Sequence, residues 1–228
     1  MIVLALDTAT TSSAVALWRD GRVVAERRRV VTTHSEHLMA MIDESFTEAG
    51  LKPRDLDGVV CGAGPGSFTG LRIGLATAKG LCLALDKPLA MVSTLAAIAA
   101  RAPDGRVLAA IDALKGEVYA GLFDVTGGHP ERAGDEAVIA PERLLAQLGA
   151  WLPAIVVGTV VGSGALKYPA LVVPGARLLD GDAGPHPVDL ARLGAARLAA
   201  GLADDLATAT PAYLRPSEAE LVKQRRQP

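Results

Sequence analysis

Aromatic residues are scarce: three Phe, three Tyr and two Trp make up 4% of the chain. That is too few for a protein built around stacked bases. Cysteine is scarcer still. Cys61 and Cys82 can form neither a disulfide framework nor a zinc knuckle, and reduced thiols in a cytosolic protein are the simple expectation. Neither sign of charge dominates. Lys and Arg number 23 and Asp and Glu 25, a net −2, so no broad phosphate-binding surface is indicated, though local basic patches stay open. No secretory leader is expected, because Met1–Leu6 meets Asp7 too early and lacks a basic start. The uncharged stretch from Leu144 to Leu166 has the length of a membrane span. Pro153, Gly158, Gly162 and Gly164 interrupt it and Gln147 is polar, so it reads as helix, turn, strand and loop of a soluble protein.

Half of the 228 residues are hydrophobic, enough to bury the core of one large domain or of two of about 100 residues each. The chain opens as a β-meander, with apolar runs at 2–7 and 13–19, a hairpin signal at Asp20-Gly21, and a third run over 22–31. Thr33 and Glu36 fit a capping box for a helix that ends at Gly50, with Leu38, Ile42, Phe46 and Ala49 on one face. A strand at 58–63 leads through a glycine-rich turn, 62–70, into a helix reaching Leu85. A short strand (88–92) and an Ala-rich helix (94–101) follow. Ala102-Pro103-Asp104-Gly105 is the best boundary. Past it the order restarts as strand (107–112), Asp112, turn, strand (117–125), which suggests a duplicated α/β unit. A polar loop (126–136), a helix (141–149), strands at 154–161 and 171–173, and a helix (188–201) complete it. The tail, Pro211–Pro228, is basic and irregular.

Several groups carry candidate chemistry. Asp7-Thr8-Ala9-Thr10-Thr11-Ser12, between two strands, can hold a magnesium–phosphate group or simply close an Asx or ST turn. The run from Gly62 to Gly70 opens a helix, whose amides suit anions. It is neither a dinucleotide fingerprint nor a Walker loop, so its glycines demand close backbone approach, with or without a ligand. His34, Glu36 and His37 could be metal ligands, but helix capping accounts for them better. Asp112, Lys115 and Glu117 could serve as a second phosphate turn or an acid/base pair, but a solvated hairpin is the favoured reading. The helix over 69–85 is apolar on two sides: Leu71, Leu75, Ala78, Cys82 and Leu85 on one, Ile73, Thr77, Gly80, Leu81 and Ala84 on another. With Met39 and Met41 off the main face of its neighbour, it suggests either a helical interface or two helices that pack only on each other.

These residues resemble one family closely. The Asp7–Ser12 turn, His34-Ser35-Glu36-His37, the highly specific run Gly64-Pro65-Gly66-Ser67-Phe68-Thr69-Gly70-Leu71-Arg72, Asp112 with Gly116-Glu117-Val118-Tyr119, Gly162-Ser163-Gly164, and Pro211 with Tyr213-Leu214-Arg215 occur in the order of the TsaB (YeaZ) family. The resemblance implies an α/β, two-lobed ASKHA (actin/hexokinase/Hsp70-like) fold with duplicated mixed-sheet units, here expected as lobes 1–104 and 105–228. It implies a cytoplasmic accessory subunit in making threonylcarbamoyladenosine on tRNA. The expected partners are a catalytic paralogue, TsaD, and an ATPase, TsaE, with tRNA met indirectly and homodimerisation open. ATP, magnesium and the metal are expected on those partners, and none on this chain.

The catalytic paralogue carries a metal-binding His-x-x-x-His after the strand that follows the glycine-rich helix. Thr94 and Ile98 stand there in this chain, and Ile cannot ligate a metal. The resemblance therefore implies no catalytic residues, and a peptidase reading loses its metal likewise. Family pairing uses the helices at 34–49 and 69–85, which places Leu38, Met41, Ile42, Ser45, Ile73, Thr77 and Leu81 in the expected partner interface. Asp7, Thr10, Thr11, Gly64 and Gly66 are the candidate remnant of a nucleotide turn. The competing reading is a kinase-like enzyme of the same fold. Against it, Ala9 stands where such kinases have Gly, and no clear catalytic Asp follows the Gly64 loop. The tail with Lys223, Arg225 and Arg226 is read as a frayed end or a tRNA contact.

Overall fold

The computed structural model describes residues 1–30, 34–151, 157–179 and 184–215. The meander forms β1 (Ile2–Asp7), β2 (Ser12–Arg19) and β3 (Arg22–Val30). Asp20 and Gly21 both have positive φ (48° and 87°), the backbone that a tight hairpin needs. After α1 (His34–Ala49), β4 (Gly58–Gly62) adds to β1 in parallel and, past α2 (Phe68–Leu85), β5 (Leu89–Val92) adds to β4 in parallel, giving a sheet of order β3-β2-β1-β4-β5. Ser67 caps α2 by accepting from the Gly70 amide at 3.3 Å, and left-handed Asp86 ends it.

The second half repeats this plan. Helix α3 (Thr94–Ala99) is followed by β6 (Gly105–Asp112), β7 (Val118–Thr126), β8 (His129–Arg132), β9 (Ala137–Ile139), α4 (Pro141–Trp151), β10 (Thr159–Val161), α5 (Ser163–Lys167), β11 (Arg177–Leu178) and α6 (Pro187–Ala199). The second sheet runs β8-β7-β6-β10-β11, with β9 also on β7. In each sheet the first three strands pair antiparallel and the last two join in parallel. The two halves thus share one plan, a duplicated mixed-sheet α/β unit.

Strand β1 is buried on both faces. Leu4 and Leu6 meet Leu38, Met41, Ile42 and Phe46 of α1 and Leu75, Ala78 and Cys82 of α2. Val3 and Ala5 face Leu190, Ala191 and Ala195 of α6. In the second sheet, Val107, Ala109 and Ile111 face Leu95, Ile98 and Ala99 of α3. Each sheet is thus covered by a helix contributed from the other half of the chain. The last helix crosses back onto the first sheet, and α3 reaches forward onto the second.

The residues from 126 to 136 are not all loop. Gly127 and Gly128, both at positive φ (56° and 75°), turn the chain into edge strand β8. The apolar run 171–173 is not a strand either. Pro169 starts a single 3-10 turn, Pro169–Leu171, that drops Leu171 into the core; the edge strand comes later, at β11. The proposed cap at Thr33, residues 154–156 of the expected strand at 154–161, and the tail from residue 216 lie outside the described residues. Helix α2 is long and apolar enough to cross a membrane by length and composition, but here its buried face is packed on the first sheet.

Two helical glycines predict opposite outcomes. A Cβ at Gly194 of α6 would fall on the Val60 side chain of β4, whereas one at Gly80 of α2 meets nothing within 4 Å. Gly194→Ala should destabilise by about 1–3 kcal/mol through overpacking. Gly80→Ala should stabilise by roughly 0.5–1 kcal/mol through helix propensity. Urea unfolding of the two variants checks both signs.

Candidate functional site

The turn after β1 is closed by its own chain. Asp7, 1% exposed, accepts from the Ala9 amide at 2.7 Å on one oxygen and from the Thr94 hydroxyl at 2.8 Å on the other. The Thr8 hydroxyl donates to the Gly70 carbonyl at 2.7 Å, and the Ser67 amide donates to the Ala9 carbonyl at 2.7 Å. Thr10 Oγ1 lies 3.2 Å from Ser12 Oγ, while Thr11 is exposed. The glycines of the following loop answer to this turn. A Cβ at Gly62 would land on the Asp7 carboxylate, at Gly66 on the Ala9 carbonyl, at Gly70 on the Thr8 carbonyl and at Gly74 on the Thr8 hydroxyl. Gly64 stands at φ 93° against Leu71. Packing of backbone on backbone accounts for the glycine-rich motif, and the Asx-turn reading of Asp7–Ser12 is the one its hydrogen bonds display.

Burial pushes the Asp7 carboxyl above its ordinary range, against the pull of the Ala9 amide, the Thr94 hydroxyl and the Arg28 charge. Burial also raises both thiols, Cys82 to about 11 and Cys61 further, so neither is a thiolate at neutral pH. The two positions that the resemblance sets against the paralogue's histidines are core residues: Thr94 is fully buried on Asp7, and Ile98 is buried among Leu95, Val107 and Phe123.

The second turn is likewise tied to its own chain. Asp112 accepts from the Leu114 amide at 3.0 Å and from Lys167 Nζ at 2.7 Å, and Glu117 pairs with Arg215. His37 is half-buried on α1; the side chains of His34 and Glu36 lie outside the described residues. A cavity of about 610 Å³ opens between β5, β8, α3 and α6. Among its guanidinium groups Arg132 pairs with Glu136 at 3.0 Å and Arg197 with Asp204 at 3.2 Å, while Arg197 Nε is buried without a hydrogen-bond partner among the described residues.

The expected interface residues divide. Leu38, Met41, Ile42 and Ser45 are between 0 and 3% exposed. They form the inner face of α1, with Ser45 donating to its own helix at Met41 O. A side chain sealed in the core cannot meet a partner, so these four leave the candidate surface. Ile73, Thr77 and Leu81 are half-buried at the shoulder of α2. The outward face consists of residues that the sequence reading left at its margin or passed over. Leu83 is 71% and Met39 55% exposed, and Ala76, Gly80 and Ala84 form an exposed stripe of small side chains, one per turn. The four-residue spacing of that stripe was the available signal. The Arg28 charge facing Asp7 had no local signal.

The family model for TsaD, tRNA N6-adenosine threonylcarbamoyltransferase, matches residues 27–172. The tRNA threonylcarbamoyladenosine biosynthesis protein TsaB of Escherichia coli (strain K12) is 37% identical over 94% of this chain and 95% of its own length. TsaB of Bacillus subtilis (strain 168) is 34% identical over 96% of each. Among solved structures, a Pseudomonas aeruginosa protein described as similar to peptidase YeaZ superposes with a TM-score of 0.83 at 36% identity, covering 94% of this chain and 99% of that one. YeaZ from Pseudomonas aeruginosa gives 0.80 at 34% identity, covering 93% and 99%.

The Asp7 environment has a pH signature. With its folded-state pKa raised above the ordinary 3.8, the folded chain holds this proton more tightly than the unfolded chain. The group's contribution to stability therefore falls as pH rises from about 4 through the folded-state value. Asn at this position keeps an acceptor for Ala9 and places an NH2 opposite the Thr94 hydroxyl. The stability of Asp7→Asn relative to the natural chain should rise between pH 4 and pH 7. Urea unfolding at both pH values checks this, and an unchanged difference would contradict it.

Proposed function

This chain belongs to the TsaB family of tRNA threonylcarbamoyladenosine biosynthesis proteins, and from that membership we propose that it is a non-catalytic subunit that binds and organises a TsaD-type catalytic paralogue. A TsaE-type ATPase joins the pair. ATP, magnesium and the catalytic metal sit on those partners, and tRNA is met through them in the cytoplasm. The observation that carries the reading is the outward face of α2. It presents a large apolar side chain, Leu83, beside the small-residue stripe Ala76, Gly80 and Ala84, on a helix whose opposite face is already satisfied by the sheet. Small residues let a partner helix approach closely, and exposed Leu and Met supply area to bury. Ile73, Thr77 and Leu81 flank the stripe and complete the surface. Without the paralogue, a second copy of the chain can use the same face.

The non-catalytic half of the proposal is supported by the Thr94 and Ile98 packing. Where the paralogue's metal-binding histidines align, this chain uses one side chain to hold Asp7 and the other to fill the second lobe's core.

The docking face and the core face of these helices separate by mutation. Leu83→Asp should leave stability within about 0.5 kcal/mol and weaken capture of purified TsaD by roughly 30-fold or more, the effect of losing a hot spot of about 2 kcal/mol. Leu38→Ala should cost about 2–5 kcal/mol of stability and affect capture only through folding. Titration calorimetry and urea unfolding on both variants provide the test. Full-strength binding by Leu83→Asp would remove α2 from the interface.

A further inference from the structure

The last described residues form a bridge whose partners alternate between the two lobes. After α6 the chain runs along the first lobe. The Asp204 amide donates to Leu89 O at 2.8 Å, and Leu206 and Ala209 pack on the first core. The Ala212 amide then donates to Ala63 O at 2.8 Å, just past the carboxyl end of β4. The Tyr213 ring packs on Phe68 with centroids 4.9 Å apart, and its hydroxyl accepts from Arg72 Nε at 3.2 Å. Arg72 itself lies 4.2 Å over the Phe68 ring. One residue later the chain has changed lobes. Leu214 packs into the second core, and Arg215 donates to Ala113 O at 3.0 Å, pairs with Glu117 and lies over the Tyr119 ring.

Both anchor points, Ala63 and Ala113, follow the carboxyl ends of central strands, β4 and β6. The crevice outside the carboxyl ends of strands is where open α/β sheets receive ligands, and closure of lobes around a ligand is how such sites change shape. We propose that residues 211–215 are an internal strap that holds this crevice shut from within the chain, in place of a bound ligand. The strap fixes one angle between the lobes, so that the surfaces of both are presented as a single rigid body. A ligand entering the crevice from this side has to displace it.

The test is a distance distribution between spin labels at two exposed positions, one in each lobe, introduced as Thr47→Cys and Arg143→Cys. The native thiols are buried and protonated and stay unlabelled. The otherwise natural chain should give one narrow distance. Tyr213→Ala with Arg215→Ala should give a broader distribution with a longer population. Tyr213→Phe, which keeps the ring stack, should stay narrow. An unchanged distribution in the folded double variant would overturn the proposal. If the double variant does not fold, amide exchange on the natural chain decides: the Ala212 amide should exchange as slowly as the β4 amides, and exchange at the rate of a free segment would overturn the strap.

Discussion

The fit of the Asp7–Ala9 turn against the glycine loop sets much of the rest of the structure. Backbone carbonyls of Thr8 and Ala9 lie where side chains on Gly66 and Gly70 would stand. Thr94 seals the other side by donating to Asp7. These contacts bring the start of α2 directly over the end of β1, fix the face that α2 turns to the sheet, and lock the start of α3 onto the same carboxylate. The turn and the loop thus pack directly on each other, and α2 is left with one face turned outward.

The duplication gives that surface its rigidity. Each sheet is covered on one face by a helix arriving from elsewhere in the chain, α3 onto the second sheet and α6 onto the first. Separating the lobes therefore exposes core on both sides, at roughly 25 cal/mol for each Å² of apolar surface uncovered. Gly194 allows α6 to lie directly on Val60 of β4, so the closeness of this crossing is written into one residue.

Much of the fold was legible because its signals are local. Asp20-Gly21 fixed the first hairpin, the glycine-rich turn led into α2, and the restart past Ala102-Pro103-Asp104-Gly105 revealed the second unit. The glycine-rich loop was legible only in part. Its glycines show that something comes close, but that something is Thr8 and Ala9, more than fifty residues away. The outward face of the helices was half legible for a similar reason. A helix that is apolar on two sides shows a surplus, but only the position of the sheet decides which side is surplus. Hence Leu38, Met41, Ile42 and Ser45 fell inside and Met39 and Leu83 outside. Residues 211–215 carry no periodicity, and their side-chain hydrogen-bond partners lie 98 to 141 residues back, beyond the reach of pattern.

The central claim is that this chain assists the tRNA modification without performing it. Reconstitution from purified TsaD, TsaE, the threonylcarbamoyl-adenylate synthase, ATP, threonine and unmodified tRNA tests it directly, with each protein omitted in turn. The account predicts modification only when this chain and TsaD are both present, and none from this chain without TsaD. Modified tRNA in the absence of TsaD, or an undiminished yield when this chain is left out, would contradict it.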